Sequence, residues 1–88
     1  MAVEFDPAKD AANLAKHGLS LSEAAGFDFS AAAIMVDNRF DYGEVRFRAF
    51  GYVSEEGRCL VFTAINATTI RAISYRRARR KEMQRYGL

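Results

Sequence analysis

Guanidinium groups crowd the end of this chain. Residues 74–88 read SYRRARRKEMQRYGL, with Arg76, Arg77, Arg79, Arg80, Lys81 and Arg85 set against one acid, Glu82, and Arg71 stands just upstream. Arginine suits one task above others, because its planar fork holds two phosphate oxygens at once and stays charged. Charges of one sign also repel along a helix instead of forming the i,i+4 pairs that stabilise a solvated face. That arrangement costs the monomer energy and points to an external polyanion. A one-signed patch is the footprint expected of a nucleic-acid site.

Binding needs only positive charge, whereas cutting RNA needs more. A group must help to remove the 2′-hydroxyl proton, cations must sit beside the phosphate as charge accumulates, and the departing 5′-oxygen must receive a proton. Lys, Tyr, His and Glu serve in proton transfer when the local field shifts their pKa values, which makes Tyr86, Glu82, His17 and Lys16 the candidates. Each has a plainer reading. His17, the one histidine, and Lys16 both precede Gly18, where a cation caps a helix end. Glu82 among arginines reads as a salt-bridge partner that orients them, and Tyr86 as an apolar anchor for the last helix. Arg46 and Arg48 either extend a groove or line an open solvent face. Such chemistry requires no metal, and there is no spaced Cys/His set of the kind that holds zinc.

The rest of the composition narrows the class. The 88 residues are half hydrophobic and hold a single proline, which fits one globular domain over 1–88. The net charge of +2 hides a split. Residues 1–70 carry six Lys/Arg against ten Asp/Glu, net −4, while residues 71–88 carry seven against one, net +6. The lone Cys59 lies in an apolar run, which reads as core and as a reducing, cytoplasmic setting. No signal peptide or membrane span is expected.

The elements that must position these groups follow the hydrophobic pattern. Asp6-Pro7 starts a helix and Gly18 stops it. Ser20 with Glu23 is a capping box for a second short helix that ends near Gly26, with Leu19 packing on Ala24 as a staple. Strands are expected over 31–37, 44–53, 58–66 and 68–75, with SEEG (54–57) as a hairpin turn and a last helix over roughly 76–86. In the second strand Val45, Phe47 and Ala49 share one face, with Arg46 and Arg48 on the other. Phe47, Val61, Phe62, Ile65, Ile70 and Ile73 form the expected core stripe. The order is α-α-β-β-β-β-α: an α+β domain with two N-terminal helices, a four-stranded mainly antiparallel sheet covered by helices on one face, and a C-terminal basic helix. If that helix folds back beside the last strand, Arg71 and Arg76 converge on one pocket.

Three stretches together carry a family likeness: FDPAKDAANLAKHGLSLSEAA, GEVRFRAFG and IRAISYRRARRKEMQRY. In order and spacing they resemble the BrnT family, toxins of bacterial type II toxin–antitoxin systems. The resemblance implies a fold like the RelE ribonucleases, metal-independent RNA cleavage that arrests translation, and neutralisation by a BrnA-type antitoxin that also represses the operon. Contact with DNA would then be indirect, through the antitoxin complex. The matching positions are Lys16, His17, Arg71, Ser74, Arg76, Glu82 and Tyr86. Tyr75 stands where the family commonly has a small residue, next to the presumed site. On this reading Arg71 and Arg76 hold the scissile phosphate, Tyr86, Glu82 or His17 move protons, and Arg77, Arg79, Arg80 and Lys81 track the single strand. The alternative is a basic nucleic-acid-binding or antitoxin-binding module with no catalysis of its own.

Overall fold

The computed structural model describes all 88 residues. Strand β1 (Ala2–Glu4) leads into helix α1 (Pro7–His17), two 3₁₀ turns (Leu21–Gly26 and Phe29–Ala31) and strand β2 (Ala33–Val36). Strands β3 (Phe47–Val53), β4 (Glu56–Asn66) and β5 (Thr69–Arg77) follow, then helix α2 (Arg80–Arg85). The sheet runs β1-β5-β4-β3-β2, antiparallel except for β1, which pairs parallel with β5.

The N-terminal caps form as their residue types require. The Asp6 carboxylate accepts from Lys9 N at 3.1 Å, and Gly18 closes α1 with φ +71°, a conformation that costs glycine least. The Ser20–Glu23 capping box is present, and Leu19 and Ala24 are both buried in the main core. The segment it opens is a 3₁₀ turn, however, so the N-terminal region holds one α-helix and not two. The sheet has five strands instead of four. Ala2–Glu4 is too short to stand out by alternation and becomes a strand only because Thr69–Arg71 offers it an edge.

Further along the same edge, the side chain of Asn13 does the work of a neighbouring strand. Its Nδ2 donates to Tyr75 O at 2.8 Å and its Oδ1 accepts from Tyr75 N at 3.0 Å. Nδ2 also donates to Leu19 O at 2.8 Å. Both of Tyr75's outward backbone groups are thereby satisfied and α1 is tied along β5, which accounts for the burial of an asparagine on an otherwise exposed helix.

Helices lie on both faces of the sheet, a correction to the one-sided expectation. On the first face Ala49, Leu60, Phe62, Ile70, Ala72 and Tyr75 pack against Leu19, Leu21, Ala24 and Phe27. On the second face Met83 of α2 is buried against Phe50 and Cys59. Two details steer the chain there. Ala78 N donates to Gly57 O, and Met83 sits where a Cβ on Gly57 would come within 2.9 Å of its Cγ. Gly57 thus makes room for the helix, while the hairpin turn itself uses positive φ at Ser54 (49°) and Glu55 (67°). β5 continues to Arg77, so the last helix starts four residues later than expected. Of the expected core stripe, Val61, Phe62 and Ile70 are buried and Phe47 and Ile73 partly so, but Ile65 is 43% exposed.

Candidate ribonuclease site

The second sheet face acquires its chemistry where β5 meets α2. Arg76 projects from β5, and Glu82, one turn into α2, takes its guanidinium in a fork: Nη1 to Oε1 at 2.9 Å and Nη2 to Oε2 at 2.8 Å. Glu82 Oε1 also accepts from Arg79 N at 3.0 Å, so the same carboxylate caps the helix. Held chiefly by Arg76, against the cost of its own burial, Glu82 has its pKa lowered to about 2 and is a carboxylate at any working pH. Hydrogen bonding to Glu82 raises the Arg76 pKa in turn. A guanidinium has five N–H donors; Arg76 uses two on Glu82 and one on Arg77 O at 3.1 Å, which leaves two for a ligand.

Two concavities border this stretch of β5. One of about 510 Å³ is lined by Arg76, Arg79, Lys81, Glu82 and Arg85. A smaller one of about 200 Å³ includes Lys16, His17 and Ser74, where α1 lies along β5. Ser74 and Arg76 are two residues apart on β5 and point to the same side, linking the two hollows. His17 lies within reach of Arg76's charge: burial first, then Lys16 and Arg76, lower its pKa below the usual histidine value. The shift favours the proton-accepting form of the imidazole.

The expected convergence of Arg71 and Arg76 does not occur. Arg71 sits beside β1, where Nε and Nη2 both donate to Glu4 Oε1, at 3.0 and 2.8 Å, and it lines a separate hollow with Phe5, Asp6 and Lys9. The two arginines are five positions apart on an extended strand, a span of roughly 15 Å. Arg77 is likewise committed elsewhere, to Glu56 Oε1 at 3.0 Å and to His17 O at 3.1 Å, where it secures the end of α1. Arg80 lines a fourth hollow with Tyr52, Glu55 and Glu56, away from Arg79 and Lys81. The Tyr86 ring stacks on Phe50 with centroids 4.5 Å apart, which makes it an anchor for α2. Tyr75 is buried on the first face, edge-on to Phe27, and not beside the Arg76 hollow. Cys59 is buried below Arg76, and desolvation raises its thiol pKa.

Two residues went unnoticed in the sequence. Asn13 has no pattern to mark it. Asp37 does: a carboxylate ending an apolar run, two residues before an arginine. It is 3% exposed, is held by Arg39 (Nε to Oδ1 at 2.7 Å, Nη2 to Oδ2 at 2.8 Å) and accepts from Tyr42 Oη at 3.1 Å. Those bonds hold its pKa well below the ordinary carboxylate range.

Comparison with known proteins shows the family. No curated protein matches the chain by sequence. The crystal structure of the ribonuclease toxin BrnT of Brucella abortus is similar, with a TM-score of 0.70 at 25% identity, covering 91% of this chain and 99% of that one. Residues 5–82 match the family described as the ribonuclease toxin, BrnT, of type II toxin–antitoxin systems. The chain belongs to the BrnT family of ribonuclease toxins.

Proposed function

We propose that this protein is a metal-independent endoribonuclease that cuts RNA by attack of a 2′-hydroxyl on the adjacent phosphate. The products are a 2′,3′-cyclic phosphate and a 5′-hydroxyl, and the cutting arrests translation. The observation that carries this reading is Arg76, clamped by Glu82 yet with two N–H donors left, lining a basic hollow two residues along β5 from the hollow that holds His17 and Lys16. His17 takes the 2′-hydroxyl proton. Arg76 stabilises the extra negative charge on the phosphate, the role that a preorganised donor performs best. Lys16 supplies the proton to the departing 5′-oxygen. Glu82 positions Arg76, since a carboxylate held this firmly is a poor proton donor. Arg79, Lys81 and Arg85 attract the flanking strand. Arg71, Arg77, Arg80 and Tyr86 serve the fold.

The fold is of the RelE type on this reading, and the partner is a BrnA-type antitoxin whose acidic surface covers the basic hollow in the cytoplasm. No helix is long and apolar enough to cross a membrane. The test is an RNA assay with purified protein in EDTA, with the ends of the products identified. Fragments ending in cyclic phosphate are expected. Salt-sensitive binding without cleavage would replace the enzyme with a non-catalytic binding module.

A further inference from the structure

Six guanidinium groups in this molecule, those of Arg39, Arg46, Arg58, Arg71, Arg76 and Arg77, each have a carboxylate within ion-pair distance. Arg79, Arg80 and Arg85 have none, but they are exposed on or beside α2, where water solvates them. Arg48 fits neither group. It is half-buried in β3 with no carboxylate partner, and its Nε is sealed from solvent without a protein acceptor. The Nε of Arg58 is sealed as well, but Glu56 neutralises that side chain. Partly desolvating a cation with no counter-charge is costly, so the missing anion is expected from outside the chain, at the part of the side chain that stays accessible, since Nε itself is closed to any ligand.

The register says where that anion lies. Arg48 is directly opposite Val61, and Val61 directly opposite Ser74, so all three share the second sheet face. Arg76 follows Ser74 by two residues on that face. Arg48 and Arg76 are thus separated by two strand spacings and by two residues along the strands, roughly 12 Å in all, within joint reach of two long side chains. The charges of both act on Cys59 between them. The Arg48 guanidinium lies 5.9 Å from the centre of the Phe50 ring, the ring on which Tyr86 stacks, so the site has a firm floor.

We infer that Arg48 is a second phosphate-binding residue, holding the phosphate next along the RNA from the one at Arg76, so that the strand crosses the sheet from β5 to β3. The ribonuclease reading above supplies the identity of the polyanion.

The test uses purified protein and a single-stranded 2′-O-methyl oligonucleotide, which binds but lacks the attacking hydroxyl. Arg48→Met is expected to weaken binding about tenfold and to reduce the slope of log affinity against log salt by about 0.7, the value for one phosphate on a single strand. On cleavable RNA it raises KM by a similar factor and leaves kcat within about twofold, as loss of uniform binding predicts. Its Tm is unchanged or higher. Arg48→Lys keeps the salt slope and loses the fork. If Arg48→Met does not fold, Arg48→Gln gives the same readout. An unchanged salt slope overturns the inference, and with a lowered Tm it assigns Arg48 to packing. An unchanged slope with weaker antitoxin binding makes a protein carboxylate the missing anion and also overturns it. Wild-type protein that binds the oligonucleotide but cuts no RNA removes the ribonuclease reading, and Arg48 is still judged on its slope. Wild-type protein that cuts RNA beside an Arg48→Met variant of equal slope removes the inference alone.

Discussion

Strand β5 carries an arginine–glutamate pair towards each end, and the two make an instructive contrast. At one end Arg71 meets Glu4 through a single carboxylate oxygen, with side chains 48% and 46% exposed. At the other Arg76 meets Glu82 through both oxygens, with 31% and 23% exposed, and Glu82 accepts a backbone N–H as well. The residue types are the same and the strand is the same. The difference is the company: Arg71 has a two-sided surface pair in water, whereas Arg76 has a helix laid over it and a histidine within range of its charge. An ion pair becomes a site when its neighbours desolvate it and aim its spare donors at a hollow.

The largest effect expected from this contrast is on cleavage. Arg76→Ala should lower kcat by about 10²–10³-fold, the usual loss when one preorganised donor is removed, while Arg71→Ala should change it less than about threefold. Growth arrest on expression and initial rates on RNA read both. Equal losses would mean that the two ends of β5 act together after all. Next in size is Asn13→Ala, which leaves Tyr75's edge N–H and C=O unpaired and should destabilise the fold by about 2–3 kcal/mol in urea titration. Loss of cleavage in this variant should follow its loss of stability.

The glutamates differ in the same sense. Glu82→Gln should cost about 1–2 kcal/mol, with a quarter of the side chain in water discounting the full pKa shift, and Glu4→Gln less than about 0.5 kcal/mol. The sign follows from a folded pKa that is depressed: the Glu82 contribution is present above its ordinary value of 4.5 and is lost as pH falls towards about 2. Acid titration of stability should therefore flatten in that window for Glu82→Gln and not for Glu4→Gln. The smallest effect is a displacement of the wild-type pH profile. Because His17 loses its proton more easily than an ordinary histidine, the acid limb of kcat/KM should lie below pH 6.5, and His17→Ala should abolish that limb.

How far these features could be read in advance depends on how local they are. The Asp6 cap, the Gly18 stop and the Ser20–Glu23 box each involve residues within a turn of one another, and all three formed. The role of Glu82 as a partner for arginine was legible because it is the one acid among the basic residues of 71–88. The Arg71–Arg76 pocket failed for the opposite reason. Residue numbers five apart on a strand say nothing about which end a helix will cover, and that choice rested on Met83 finding Phe50 and Cys59 beside Gly57. Asn13 stayed hidden because a partner 62 residues away has no local signature.

By itself, then, the chain's order of residues determined its caps, four of its five strands, its segregated charge and its family likeness, all of which arise from short-range propensity and side-chain type. Tertiary structure decided which cations share a surface. That outcome depends on strand register and on which apolar side chain docks a short helix, energies collected only once distant segments are in contact.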